Sequence, residues 1–226
     1  MIALGVWPES GRQEVLAWHR AGSEDTASWL TFLSQLEEQG RRGATGLELI
    51  IHDGGSGLCT GLTMVHFDAA EQRCLFHKLC NIWQAIHVAE ELPTHERQRQ
   101  RRAIYRDFVA IFQAKQRSTV LRRALKIVQQ YRKTQPEAVT TLRRDFRATI
   151  AYFLLQEQHP TWPRQYLRTT SRLERFNRHL RRRIRSANAD HSDVGVLAMI
   201  AQEVDRAVPL PAPHKQLTIF QPKAIH

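Results

Sequence analysis

Two hydrophobic periods alternate along the chain. Residues 2–7 (IALGVW) form an unbroken apolar, β-prone run, Pro8-Glu9-Ser10-Gly11 has turn composition, and residues 12–20 (RQEVLAWHR) resume an extended pattern, so a hairpin is predicted. After Ser23, Trp29, Leu30, Phe32, Leu33 and Leu36 repeat at helical spacing, with Gly40 or Gly43 as the stop. Leu47 to Ile51 (LELII) is short and wholly apolar, as a buried central strand should be, and runs into His52-Asp53-Gly54-Gly55. A short helix is expected over 57–66 and a strand over 72–77. From about Leu79 to Pro160 the pattern is helical throughout: IYRDFVAIFQA, TVLRRALKIVQQY and EAVTTLRRDFRATIAYFLLQ each space apolar residues three and four apart. A last helix covers roughly 169–186, and the proline-rich stretch after Val208 reads as an extended or frayed tail.

This order predicts an α/β fold in which an all-helical block interrupts a sheet. It resembles a ribonuclease H-like core lacking its first strand, since the chain opens directly inside a strand. Residues 1–84 would be the first part of that core, 85–160 the helical insertion, 161–207 a core helix region, and 208–226 the tail.

Charge narrows the function. Lys and Arg number 33 against 22 Asp and Glu, a formal net charge of +11. Such an excess on a folded domain suits a polyanionic partner, because each phosphate neutralised releases counterions. Three cysteines, Cys59, Cys74 and Cys80, are too few and odd in number for a disulfide framework, which suits a reducing cytoplasm. No run of about 18 apolar residues predicts a membrane span, and MIALGVWPES lacks the basic start of a signal peptide.

Candidate chemistry lies in three places. Asp53 ends a buried strand before two glycines, where a carboxylate is held rigidly and substrate can come close, although Asp-Gly after a strand is more often a plain turn. Glu174 is the one acid among the arginines at 164, 168, 172, 175, 178, 181, 182, 183 and 185. It is either one half of solvated i,i+4 ion pairs or a metal-binding carboxylate flanked by phosphate-binding arginines. Cys74-Leu75-Phe76-His77 is half of a zinc pattern, with only His87 and His95 as loose further candidates, and reads as a packed strand-to-helix corner.

In combination these motifs resemble the mutator-type transposases of bacterial insertion sequences, a DDE family, over most of the chain. The opening through Gly43 resembles that family's G…G…EVL…W…L…RG stretch. LELIIHDGGSGL (47–58) is similar to its second-aspartate strand. AAEQRCLFHKLCNI (69–82) resembles its Q-R-C-x-x-H-x-x-R-N box at Gln72, Arg73, Cys74, His77 and Asn81. TTSRLERFNRHLRRRIRS (169–186) resembles its Glu helix, matching at Asn177 and Arg178. Cys80 stands where the box usually has Arg, and Ser171 where the Glu helix usually has Asn.

The resemblance implies catalytic, metal-binding roles for Asp53 and Glu174. It also implies Mg²⁺ or Mn²⁺ as paired cofactors activating water or a 3′-hydroxyl for attack on a phosphodiester. DNA contact is expected from Arg172, Arg175, Asn177, Arg178, Arg181, Arg182 and Arg185. For RQRQRRAIYR (97–106) a DNA contact and a solvated helix face stand equally open. Trp83 and Trp162 are expected to pack rather than stack on bases. The family's first aspartate has no counterpart in this sequence, so the expectation is a transposase fragment, inactive alone, that assembles as a homo-oligomer when complete and acts at the nucleoid in the cytoplasm. The alternatives are an inactive DNA-binding remnant that interferes with a full-length transposase, and a basic α/β domain with no DNA role.

Overall fold

The computed structural model describes residues 1–183 with their side chains, the backbone of 184–186 and 216–221, and positions 195 and 198. The remaining tail and most of 187–207 lie outside the described residues.

The N-terminal apolar run is β1 (Ile2–Trp7), paired antiparallel with β2 (Arg12–Trp18). Helix α1 (Thr26–Glu38) starts at Asp25, whose carboxylate accepts from the Ser28 amide at 2.8 Å, satisfying one of the free donors of the first turn. A 3₁₀ turn leads into β3 (Leu47–His52), followed by α2 (Ser56–Met64) and β4 (Ala70–Arg73). Then come α3 (Leu75–Gln84), α4 (Thr94–Phe112), α5 (Arg117–Tyr131), α6 (Pro136–Arg143), α7 (Phe146–Thr149), α8 (Tyr152–Gln158), α9 (Arg164–Leu167) and α10 (Ser171–Ser186). The described elements end with β5 (Gln216–Gln221).

The sheet order is β2-β1-β5-β3-β4. β5 runs antiparallel to β1 and parallel to β3, and β3 is parallel to β4. The fold is therefore α/β with a mixed sheet. The stretch expected to be an extended or frayed tail contributes an internal strand of it.

Successive residues of a strand point to opposite faces, so each face has its own core. Ala3, Trp7 and Ile50 pack with Trp29, Phe32, Leu33 and Leu36 of α1 and Leu58 and Leu62 of α2. Gly57 lets α2 sit close, since a Cβ there would lie 2.8 Å from the Glu24 carbonyl oxygen. On the other face, Ile2, Leu4, Val6, Leu49 and Ile51 share one core with the helical block and with Leu173 and Leu180 of α10.

Two boundaries differ from the sequence reading. The strand expected at 72–77 stops at Arg73. The Cys74 amide donates to His52 O at 2.7 Å, and Leu75, Leu79 and Ile82 then repeat at helical spacing, with Leu75 and Ile82 buried. The helix expected over 137–156 is three pieces, broken where Asp145 takes a left-handed conformation (φ 50°) and again at Ile150 and Ala151.

Candidate functional site

The ends of β3 and β4, the start of α3 and the start of α10 converge. The Leu75 amide donates to Arg168 O at 2.8 Å, which ties the α3 start to the residue just after α9. A cavity of about 360 Å³ opens there, with Asp53, Arg73, Cys74, His77, Asn81 and Asp145 in its lining.

Asp53 is half-buried at the β3 exit, and its Oδ1 accepts from the Gly55 amide at 3.1 Å. Burial raises its pKa above the usual carboxylate value, against the pull of that amide and of His77, His52 and Arg73. Gly54 has φ +88°, and a Cβ on it would fall within the Arg73 guanidinium. Arg73 reaches across, with Nη1 3.3 Å from Cys59 Sγ and Nη2 3.4 Å from Asp145 Oδ2.

Glu174 lies in the first turn of α10, one helical turn past Thr170, whose Oγ1 donates to Glu174 Oε1 at 2.8 Å and lies 3.2 Å from Cys74 Sγ. His77 Nδ1 is 3.8 Å from the same Oε1. The His77 pKa is raised chiefly by the neighbouring Cys74 sulfur, with Asp53 and Glu174 adding to it. Burial pushes the Cys74 thiol up, but His77 and Thr170 outweigh it and the net shift is downward. Asp53 and Glu174 thus both act on one imidazole, that of His77. The C-x-x-H pair, expected to be a packed strand-to-helix corner, has Cys74 buried at the junction of β4 and α3, and both residues also line the cavity.

The run from Gln72 to Asn81 divides between two tasks, packing and lining. Gln72 is fully buried: its Nε2 donates to Thr149 O at 2.7 Å and its Oε1 accepts from the Tyr152 amide at 2.8 Å. Asn81 lines the cavity.

Helix α10 buries Leu173, Asn177 and Leu180 and exposes Arg175, Arg178 and Arg182, the i, i+3, i+7 face opposite. Arg172 is half-buried over the Tyr166 ring, 3.9 Å from its centroid, and Arg181 donates to Asn177 O at 3.3 Å. Asn177, expected at the DNA surface, instead faces the core. Arg185 belongs to the helix, but its side chain lies outside the described residues. In the 97–106 patch, Arg101 packs over Trp83 and donates to the Trp83 carbonyl at 2.9 Å, so part of that patch is internal structure. Trp162 is buried and stacks on His159; Trp83 is half-buried.

Three residues of the site carry no signal in the sequence that would single them out. Thr170 lies in the Glu-helix stretch but at none of its matched positions. Asp145 looks like an ordinary exposed acid of a helix. Lys78 is buried, donates to the Arg144 carbonyl, and has its pKa lowered to about 8 by burial.

The model of the family described as "Transposase, Mutator family" matches residues 1–192. The chain belongs to the Mutator transposase family. It is similar to the transposase of insertion sequence element IST2 from Acidithiobacillus ferrooxidans, 27% identical over 97% of this chain and 70% of that protein. It is 33% identical to the transposase of IS406 from Burkholderia multivorans over 83% of this chain and 44% of that protein. With the transposase of ISRM5 from Rhizobium meliloti it shares 28% identity over 81% and 42% of the two chains. The chain therefore spans less than half the length of two of these Mutator relatives. Among the described residues no helix is long and apolar enough to cross a membrane.

Proposed function

We propose that this chain is part of a DNA transposase whose phosphoryl-transfer site is built on Asp53 and Glu174. The observation that carries the reading is that His77 links the two carboxylates: Asp53 and His77 line one cavity, and Glu174 Oε1 from α10 lies 3.8 Å from His77 Nδ1. The sheet supports a ribonuclease H-like reading: β5 has an antiparallel neighbour on one side and a parallel one on the other, and Asp53 follows the parallel neighbour.

The donor set fits hard divalent cations. Asp53 is a half-buried carboxylate whose ionised form is costly without a cation, and Glu174 Oε1 lies 3.8 Å from His77, a neighbour of Asp53 in the cavity lining. Mg²⁺ or Mn²⁺ bound there would supply an activated hydroxyl and a stabilised leaving oxygen. The residues themselves position: Thr170 orients the Glu174 carboxylate, the Gly55 amide fixes Asp53, and Arg73 lies across Gly54 at the cavity wall. Arg175, Arg178 and Arg182 offer an exposed cationic face on α10 for the DNA backbone.

Two measurements test this. Mn²⁺ binding, read by the loss of the free-ion electron paramagnetic resonance signal, should weaken at least about tenfold in D53N and in E174Q. DNA binding should fall with salt, and the triple variant R175A/R178A/R182A should flatten the log–log slope by roughly 0.9 for each phosphate it no longer neutralises. Mn²⁺ binding indifferent to both carboxylates would sink the metal reading. An unchanged slope would remove α10 from the DNA interface.

A further inference from the structure

The two carboxylates do not exhaust the chemistry of the site. Cys74, His77 and Glu174 each offer one ligand atom, and the three atoms lie within 4.8 Å of one another. A tetrahedral zinc site with Zn–S near 2.3 Å and Zn–N or Zn–O near 2.0–2.1 Å needs ligand separations of roughly 3.3–3.6 Å. The 3.8 Å between His77 Nδ1 and Glu174 Oε1 is within a small side-chain adjustment of that. His77 Nδ1 is buried and has no hydrogen-bond partner, so it is open to a ligand role.

The backbone holds all three from different directions. The Cys74 amide is pinned to the end of β3 through His52 O. His77 is three residues further on, in the first turn of α3. Glu174 comes from α10, and Thr170 bridges it to the Cys74 sulfur. A sulfur, an imidazole nitrogen and a carboxylate oxygen form a mixed set that favours a borderline-soft cation over Mg²⁺. Two of the three, Cys74 and His77, line the cavity, which leaves a fourth position open on that side.

We propose that Cys74, His77 and Glu174 form a binding site for a thiophilic divalent cation of the zinc class, next to and sharing Glu174 with the hard-metal site. The inference stands on this geometry and does not need the phosphoryl-transfer reading. The two sites share one oxygen donor, so a cation held by the sulfur and imidazole takes Glu174 out of the Asp53 pair.

Co²⁺ added to tag-free protein is the probe. The expected spectrum has a thiolate-to-cobalt charge-transfer band in the near ultraviolet and intense visible bands of tetrahedral cobalt, both erased by Zn²⁺. C74S, a near-isosteric change checked by circular dichroism, should abolish the charge-transfer band. H77A and E174Q should each weaken Co²⁺ binding by about tenfold or more. The double variant C59S/C80S should keep the band, which assigns it to Cys74. D53N should also keep it while losing Mn²⁺ affinity, so failure of one site is distinguishable from failure of the other. No charge-transfer band in the wild type, or a band that survives C74S, overturns the proposal.

Discussion

Asp53 carries a stability cost that can be measured. Its folded-state pKa is raised by burial, so the folded protein favours the neutral acid. The stability this gives is fully present below the unfolded pKa and is lost as pH rises through the folded pKa. D53N keeps the shape and never ionises. It should therefore melt higher than the wild type near neutral pH, and the gap should close as the pH falls into the acid range. Differential scanning calorimetry across that range checks it. A D53N protein no more stable than wild type near neutral pH would mean that the ionised carboxylate is satisfied by groups other than those described. Such a cost is what a cation-binding carboxylate shows when no cation is bound.

Among the elements, the apolar join between sheet and helical block contains one fully buried polar link, Gln72. Gln72 leaves β4 and pairs with the Thr149 carbonyl and the Tyr152 amide, at the end of α7 and the start of α8. Gln72, Thr149 and Tyr152 are all fully buried. Q72L keeps the volume but orphans a buried acceptor and a buried donor, at about 1–3 kcal/mol each. The expected loss is about 3 kcal/mol, or roughly 10 °C in melting temperature for a domain of this size, read by thermal unfolding. A loss near zero would mean that the join is held by apolar packing alone. The sequence displays Gln72 only as one letter of a motif, because a partner 77 residues away leaves no local trace. Asp53 is legible because an apolar strand ending in Asp-Gly-Gly is a local pattern. Glu174 is legible as the one acid in a basic helix. Asn177 misleads because polarity suggests the surface, whereas it occupies the buried stripe between Leu173 and Leu180. The break at Asp145 is invisible in the sequence, since helical periodicity continues on both sides of a single left-handed residue.

For the molecule as a whole, the sheet depends on its last strand. β1 and β3 are almost wholly buried, and in the described structure they do not pair with each other: β5 lies between them. Ile219 aligns with Leu4 on one side and Ile51 on the other. The proline-rich composition of 208–226 masks this element, yet Gln216–Gln221 (QLTIFQ) is a proline-free window flanked by Pro213 and Pro222. Gln216 to Ile219 alternate polar and apolar, and six residues are enough for a strand when two ladders are available. An interior strand cannot accept proline, which removes an amide donor and clashes with its neighbours. I219P should therefore lower the melting temperature and speed amide exchange in both β1 and β3, at residues more than 160 positions away in sequence. A proline introduced outside the strand, at Lys215, is the control for a general effect on the tail. Hydrogen exchange read by mass spectrometry separates the outcomes. Faster exchange in β1 and β3 together establishes β5 as the strand that unites the two halves of the sheet, and unchanged exchange in both would mean that the sheet holds together without it. The first result would also explain how a site that draws on β3, α3 and α10 keeps its geometry: Asp53 follows β3 directly, so the strand that anchors β3 also sets the position of that carboxylate.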